Sequence, residues 1–248
     1  MGTAGNGLAA GLYSASTVKA KVGDGTEVEI TETTDYPFSE TIAFKLASPK
    51  PVKFPLMLRV PGWCDAAKVA VNGQAVKVDA KPRSWIVLDR TWANGDTVQL
   101  ELPMEIRVKV WIKNKKCVSV SRGPLTYSLK IGERWERYGD DPKWARYEVF
   151  PTTPWNYALV IDPIRLADFF EVVKPDKPVA PQPFTVEDAP IQLRAKGKRV
   201  KGWKLEENGL IGPVPESPVA SEEPAEDITL IPMGCARLRV SAFPWQAE

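Results

Sequence analysis

Apolar and polar residues alternate with a period of two through most of the chain, and this pattern predicts β-strands. Residues 17–22 and 26–30 alternate on either side of a Gly-Asp-Gly turn, which predicts a hairpin. Residues 69–78 alternate around Asn72-Gly73, a dipeptide that readily adopts the positive φ angles of a tight two-residue turn. The first third of the chain is therefore predicted to contain two antiparallel hairpins.

Short strands separated by glycine and proline continue to the end of the chain and predict an all-β fold with little helix. One segment, residues 166–173, has helical spacing but strong β propensity, and we favour a strand there. The whole pattern predicts two antiparallel β-sandwich-like domains with Pro-rich loops. The further predicted strands are 54–60, 85–88, 97–102, 106–112, 157–161, 191–195, 199–205 and 237–242.

Composition divides the 248 residues into two halves. Residues 1–130 carry a net charge of about +6 and residues 131–248 about −4, and 15 of the 23 prolines lie in the second half. We predict a first β-sandwich over 1–112 and a second β-rich domain over 113–248. A last strand at about 228–243 is expected to return to the first sandwich.

Several classes of function are disfavoured by composition. The chain contains no histidine, which removes Ser-His-Asp catalysis and histidine-containing metal sites. The net charge of +2 argues against a nucleic-acid surface, and no apolar run approaches the ~20 residues that span a bilayer. No signal peptide is visible at Met1.

Cysteines and carboxylates suggest no catalytic or metal site. The three cysteines, Cys64, Cys117 and Cys235, are too widely spaced for a metal-ligand pattern and are interpreted as small buried hydrophobes. The carboxylates on predicted strands mostly occupy alternating, outward positions, as at Glu27 and Glu29, which is typical of a solvated face. We predict no catalytic residue and no metal ligand.

The nine tryptophans are the remaining functional signal. Trp85 lies inside a predicted strand and is expected in the core. Other aromatic residues lie in predicted turns or in the stretch rich in Pro, Asp and Arg near 135–157, and there they could contact sugar or another domain. The candidates for carbohydrate contact or an interface are Trp63, Tyr138, Trp144 and Trp155.

A series of short motifs resembles a known family. The order and type of these motifs are similar to the C-terminal β-sandwich region of glycoside hydrolase family 127, the β-L-arabinofuranosidase-like family formerly called a domain of unknown function. The resemblance runs from about residue 8 to 244. The motifs are TDYPF at 34–38, LRVPGW at 58–63, VNG at 71–73, RTW at 90–92 with GD at 95–96, LPM at 102–104, SRGPLTY at 121–127, PWNY at 154–157 and IPMGCARLR at 231–239.

The resemblance implies that the catalytic machinery lies elsewhere. Family members carry an N-terminal (α/α)6 barrel, in which a cysteine nucleophile belongs to a zinc-bound cluster of cysteines and a glutamate. No position of this chain matches that cluster, so no catalytic residue is carried over and no cofactor is expected in this chain. The implied partners are the catalytic barrel of the same polypeptide, plant-type glycans and a second copy through an exposed interface. The compartment stays open, a periplasmic or secreted parent being one alternative.

Three hypotheses follow. The first is a non-catalytic β-sandwich portion of a glycoside hydrolase acting on arabinofuranosides, which braces the missing barrel; no activity is expected for this chain alone. The second is an autonomous carbohydrate-binding module, and the third is a self-contained hydrolase with an unrecognised carboxylate pair. An upstream reading frame with a cysteine pair just before residue 8 would favour the first.

Overall fold

The computed structural model describes residues 1–162, 166–207 and 209–247. The predicted all-β class is confirmed, because strands dominate both halves of the chain. Within the described ranges, helical conformation is confined to two 3-10 segments, Leu166–Phe169 and Met233–Cys235. Neither these segments nor any other described helix has the length and apolarity to cross a bilayer.

The chain divides into two compact units, of which the first is Met1–Glu105. Its strands form two sheets that share one hydrophobic core. These strands are β1 (Gly2–Thr3), β2 (Gly7–Ala10), β3 (Ser16–Val22), β4 (Thr26–Thr33), β5 (Thr41–Ala47), β6 (Val52–Val60), β7 (Lys68–Val71), β8 (Gln74–Val76), β9 (Ser84–Trp92) and β10 (Thr97–Glu101).

The two sheets of the first unit have the strand orders β1-β2-β6-β9 and β3-β4-β5-β10-β7-β8. Pairing is antiparallel except between β2 and β6. Buried and outward residues alternate along β4, β5 and β6, so each sheet contributes one apolar face to the core. The largest fully buried side chains of this core include Phe54 and Trp92.

Turn chemistry correctly identified both early hairpins. The Gly-Asp-Gly turn joins β3 to β4, with positive φ at Gly23 and Gly25. Asn72 and Gly73 both adopt positive φ between β7 and β8, as a two-residue hairpin turn requires. The turn around Gly95 is different, because it joins β9 of one sheet to β10 of the other.

The second unit begins at Ile106. It consists of one large sheet and a separate two-stranded ribbon. Its described strands are β11 (Ile106–Trp111), β12 (Cys117–Arg122), β13 (Leu125–Leu129), β14 (Glu133–Tyr138), β15 (Arg146–Pro151), β16 (Tyr157–Val160), β17 (Glu171–Val173), β18 (Gln192–Arg199), β19 (Ala225–Pro232) and β20 (Trp245–Gln246).

Strand pairing places the division between the units at residues 105 and 106, whereas the sequence suggested 112 and 113. β11 pairs along its whole length with β12, so it belongs to the second unit. The strand expected at 228–243 is β19, and it pairs with β13 and β18 of the second unit. Because its partners lie in this sheet, it does not extend either sheet of the first unit.

Three local predictions differ from the structure. No strand forms over 199–205, because β18 ends at Arg199 and the chain then turns. No strand forms over 237–242, since β19 ends at Pro232 and a 3-10 segment follows. The predicted strand over 166–173 divides into the 3-10 segment Leu166–Phe169 and the short strand β17. The first part is thus helical and the second part extended.

Candidate functional site

The outer face of the four-stranded sheet in the first unit carries a group of apolar side chains beside polar ones such as Arg59 and Asp89. Trp85 and Val87 lie on β9 with 38% and 52% of their surface exposed, while Ile86 and Leu88 between and after them are buried. The prediction that Trp85 belongs to the core was therefore wrong. The run Trp-Ile-Val-Leu is apolar at every position, so alternation could not decide which residues face inward.

Strand register extends this surface across neighbouring strands. Val87 lies opposite Met57 on β6, and Met57 lies beside Ala9 on β2. Both Met57 and Ala9 are half-buried. We call Ala9, Met57, Trp85 and Val87 the outer strip, an apolar row on a sheet face that other described residues leave partly uncovered.

A cleft of 570 Å³ opens between the sheets of the first unit, close to the outer strip. We call it the sandwich cleft. Its apolar walls come from both sheets, since β2 and β6 supply one side and β4 and β5 the other. These walls include Leu8, Ala10, Ile30, Phe44 and Leu56.

Glu32 is the one carboxylate among the residues that line the sandwich cleft in the described structure. It follows Val28 and Ile30 at two-residue spacing on β4, so its side chain shares their inward face. Only 9% of Glu32 is exposed, and its Oε1 accepts a hydrogen bond of 2.8 Å from the Ser14 backbone N–H. Burial raises the pKa of the Glu32 carboxyl.

Sequence reasoning missed Glu32, although the signal was present. The two-residue phase of Val28 and Ile30 includes Glu32, whereas Glu27 and Glu29 fall on the opposite phase. Glu29 indeed points outward and pairs with Lys19 at 3.1 Å. A carboxylate in phase with the core is unusual enough to mark a candidate site.

The rim of the sandwich cleft is formed by Gly11, Leu12, Arg59 and Trp85. The Tyr13 hydroxyl donates a hydrogen bond of 2.6 Å to the Arg59 carbonyl, which ties the segment after β2 to β6. Burial raises the pKa of Tyr13 well above its usual range, so this hydroxyl stays protonated at neutral pH. The neutral Tyr13 hydroxyl thus holds the two sides of the rim together.

A second aromatic region is the ribbon, β14 paired with β15 in the second unit. Most of its side chains are exposed on both faces. Trp135 packs edge-to-face against Tyr147 at 5.9 Å between ring centroids, and the Arg146 guanidinium lies 5.1 Å from the Tyr138 ring. The ribbon therefore carries aromatic rings flanked by cations.

The structure separates the four predicted carbohydrate or interface residues. Tyr138 lies at the end of β14 and Trp144 in the connection to β15, and they are 46% and 69% exposed. Trp155 is half-buried and packs edge-to-face on Trp203 at 5.2 Å between ring centroids. Trp63 is half-buried against the core of the first unit.

The described residues contain no counterpart of the zinc cluster that the family resemblance places in the catalytic barrel. Among the described residues, no three His, Cys, Asp or Glu side chains are grouped in a way that could hold a metal ion. Cys64, Cys117 and Cys235 are separately buried. Burial raises the pKa of the Cys235 thiol to about 11, which disfavours the thiolate that binds zinc.

Comparison with known proteins agrees with this all-β, sandwich-like architecture. Residues 7–104 match the family described as β-L-arabinofuranosidase, GH127 middle domain. The resemblance to glycoside hydrolase family 127 that the sequence motifs indicated is therefore confirmed over residues 7–104. No curated protein sequence gives a significant match.

Solved structures extend the fold similarity to nearly the whole chain. A protein described as a glycoside hydrolase aligns over 97% of this chain with a TM-score of 0.65 and 24% identity. A GH127 β-L-arabinofuranosidase from Geobacillus stearothermophilus T6 aligns over 99% with a TM-score of 0.64 and 22% identity. The GH127 β-arabinofuranosidase BT3674 aligns over 98% with a TM-score of 0.64 and 19% identity.

The chain covers only 36%, 34% and 36% of these three structures, respectively. It therefore spans about a third of the length of the structures that it matches.

Proposed function

We propose that this chain is the non-catalytic β-sandwich portion of a glycoside hydrolase acting on arabinofuranosides, and that it braces a catalytic (α/α)6 barrel of the same polypeptide. The observation that carries the proposal is the match of residues 7–104 to the GH127 middle domain. The matched structures are about three times as long as this chain, which supports a role as one part of a larger protein.

The outer strip is the surface that we assign to this bracing role. An apolar sheet face is normally covered, because each Å² of apolar surface kept from water contributes about 25 cal/mol. Trp85 and Val87 remain substantially exposed on that face. A domain packed on it would bury both side chains and gain this free energy.

The chemistry of the described residues supports a non-catalytic role. Glycoside hydrolysis by the common retaining and inverting mechanisms uses two carboxyl groups that face each other about 5–9.5 Å apart. The sandwich cleft offers Glu32 but no second carboxylate among its described lining residues. The carboxylates Glu29 and Glu101 on other strand positions pair with exposed lysines.

The bracing role can be tested in the longest natural polypeptide that contains this chain. Val87→Asp places a charge on the outer strip, and we expect it to lower both the melting temperature and the hydrolysis of 4-nitrophenyl arabinofuranosides. Val172→Asp is the matched control, because Val172 is a comparably exposed strand valine of the second unit. Equal effects of the two variants would contradict the assignment of the outer strip.

The non-catalytic role has a separate test in the chain alone. We expect no turnover of aryl arabinofuranosides and no stoichiometric zinc in the purified chain. Turnover that is lost in the Glu32→Gln variant, or one tightly held zinc per chain, would overturn this part of the proposal.

A second candidate function is carbohydrate binding, and the exposure of Trp144 favours it. This indole is the most exposed tryptophan among the described large hydrophobic residues, and Lys143 lies 5.6 Å from its ring. Sugar rings stack on such aromatic faces. Titration with soluble arabinan should then quench tryptophan fluorescence in the unaltered chain and not in the Trp144→Ala variant.

A further inference from the structure

We propose that the sandwich cleft is a binding site for a small amphipathic ligand, one with a compact apolar body and a single hydroxyl or amine group directed at Glu32. This inference goes beyond the bracing role, because the walls of the cleft lie between the sheets of the first unit. Ala9 and Trp85, at its opening, also belong to the outer strip. It concerns a site for a free small molecule.

The apolar body of the ligand is inferred from the walls of the cleft. Leu8, Ile30, Phe44 and Leu56 are each at least nine-tenths buried, so the cleft reaches the hydrophobic core of the sandwich. A volume of 570 Å³ lies within the roughly 300–1,000 Å³ typical of small-molecule sites. Such walls offer few hydrogen-bond partners, which disfavours a ligand with many hydroxyl groups.

The polar end of the ligand is inferred from Glu32. An ionised carboxylate has about four acceptor positions. The Ser14 N–H donates the hydrogen bond to Oε1. The wall residues Leu8, Ile30, Phe44 and Leu56 have no side-chain donors, and the donors Ser16 and Arg59 lie elsewhere in the lining. A hydroxyl or amine of the ligand would add a charge-assisted hydrogen bond in an environment with little water. Burial among these apolar walls raises the pKa of Glu32.

The rim of the cleft allows a flat group to enter. A Cβ added to Gly11 would lie 3.6 Å from the Trp85 ring and 3.1 Å from the Met1 methyl group, so the glycine keeps this side of the opening wide. The exposed part of Trp85 offers a flat apolar surface at the entrance. An aromatic ring carrying one donor group therefore matches both the entrance and the interior.

The test uses benzyl alcohol and benzylamine as probes, with benzoate as the charge-inverted control. Each is titrated into the purified chain while the indole N–H resonances are followed by NMR. For ligands of eight heavy atoms, we expect dissociation constants on the order of 1 mM for benzyl alcohol and benzylamine. Benzoate should bind at least tenfold more weakly, because its carboxylate would face Glu32.

Variants then locate the site. Ala10→Phe fills the cleft from its wall and should abolish binding of both probes, while Glu32→Gln should weaken benzylamine about tenfold by removing the negative charge. Glu27→Gln is the matched control, since Glu27 lies on the same strand but faces outward, and it should leave binding unchanged. The Ala10→Phe variant keeps the test decisive if Glu32→Gln fails to fold.

Three results would overturn the proposal. The first is that no indole resonance shifts saturably at probe concentrations up to 20-fold above the expected dissociation constant. The second is binding that persists in the Ala10→Phe variant. The third is equal affinity for benzoate and benzylamine. None of them bears on the bracing role, because that role is tested by Val87→Asp on the outer strip. The two proposals therefore fail independently.

Discussion

The same residue type has opposite environments in the sandwich of the first unit and in the ribbon of the second. Trp92 on β9 is fully buried, and its Nε1–H donates to the Phe54 carbonyl at 3.0 Å. Trp135 on β14 is half exposed, and its Nε1–H donates to the Glu133 carboxylate at 3.1 Å. Both indoles satisfy their polar atom, but only Trp92 gains the free energy of complete burial.

The difference comes from the number of packed layers. In the first unit, two sheets face each other across one core, so an inward side chain meets apolar groups from both. The ribbon is a two-stranded sheet, and such hairpins are at most marginally stable in water without a covering layer. Contacts of side chains across its two strands, such as Trp135 with Tyr147, therefore contribute to its stability.

Replacement of each indole should give the largest contrast. Trp92→Ala removes a buried side chain and leaves a cavity, so we expect the free energy of unfolding to fall by about 3–5 kcal/mol. Trp135→Ala should cost less than about 1 kcal/mol, because much of this ring is already in water. Urea denaturation of both variants measures the difference. Similar losses would show that the ribbon is packed as tightly as the sandwich.

A glycine next to the sandwich core should give the next largest effect. A Cβ added to the buried Gly7 on β2 would collide with the Pro55 carbonyl oxygen, and a backbone atom cannot move away cheaply. Gly7→Ala should therefore destabilise the chain by about 1–3 kcal/mol. Gly2→Ala is the control, since nothing lies within 4 Å of its added Cβ. Equal stability of the two variants would mean that β2 and β6 approach less closely.

The buried carboxylate should make the sandwich sensitive to pH. Burial raises the pKa of Glu32 above its usual 4.5, so the folded state holds this proton at pH values where the unfolded state has lost it. The contribution of Glu32 is thus most favourable below its unfolded pKa of 4.5 and is lost as pH rises through the higher folded pKa. Glu32→Gln should remove this loss and equal or exceed the stability of the unaltered chain at pH 7.

The quantity to measure is the difference in melting temperature between the unaltered chain and the Glu32→Gln variant. Other carboxyl groups, which are common to both proteins, change stability with pH in the opposite direction. The hydrogen bond from Lys50 lowers the pKa of Asp24 to about 2, so its contribution is lost only as pH falls. Melting temperatures of both proteins from pH 4 to 8 give that difference. A difference that does not change with pH would rule out a raised pKa for Glu32.

The smallest expected effect concerns cross-strand pairs of the ribbon. The Arg134 guanidinium lies 4.9 Å from the Phe150 ring, and the two residues are directly opposite in the register. Arg134→Ala should destabilise the ribbon by about 0.5–1 kcal/mol without changing the stability of the first unit. Amide hydrogen exchange resolves the two regions. Slower exchange in β14 of the variant would contradict this account.

Local turn chemistry explains why parts of the fold could be predicted. Gly23, Gly25, Asn72 and Gly73 adopt positive φ angles in the structure, and each lies in a turn recognised from its residue type. By contrast, the apolar residues of 199–205 and 237–242 suggested strands that do not form. A strand forms only where another, often distant, segment of the chain pairs with it. A short apolar run carries no information about such a partner.

Sequence by itself determined which segments could become strands, because side-chain alternation and turn residues act within a few positions of the chain. It also carried the motifs that resemble glycoside hydrolase family 127. Only the tertiary structure decided that Trp85 faces outward, that Glu32 lies inside a cleft and that β19 joins the sheet of the second unit. These facts depend on which strands pair and which faces are covered, and such long-range packing depends on the whole chain rather than on any local pattern.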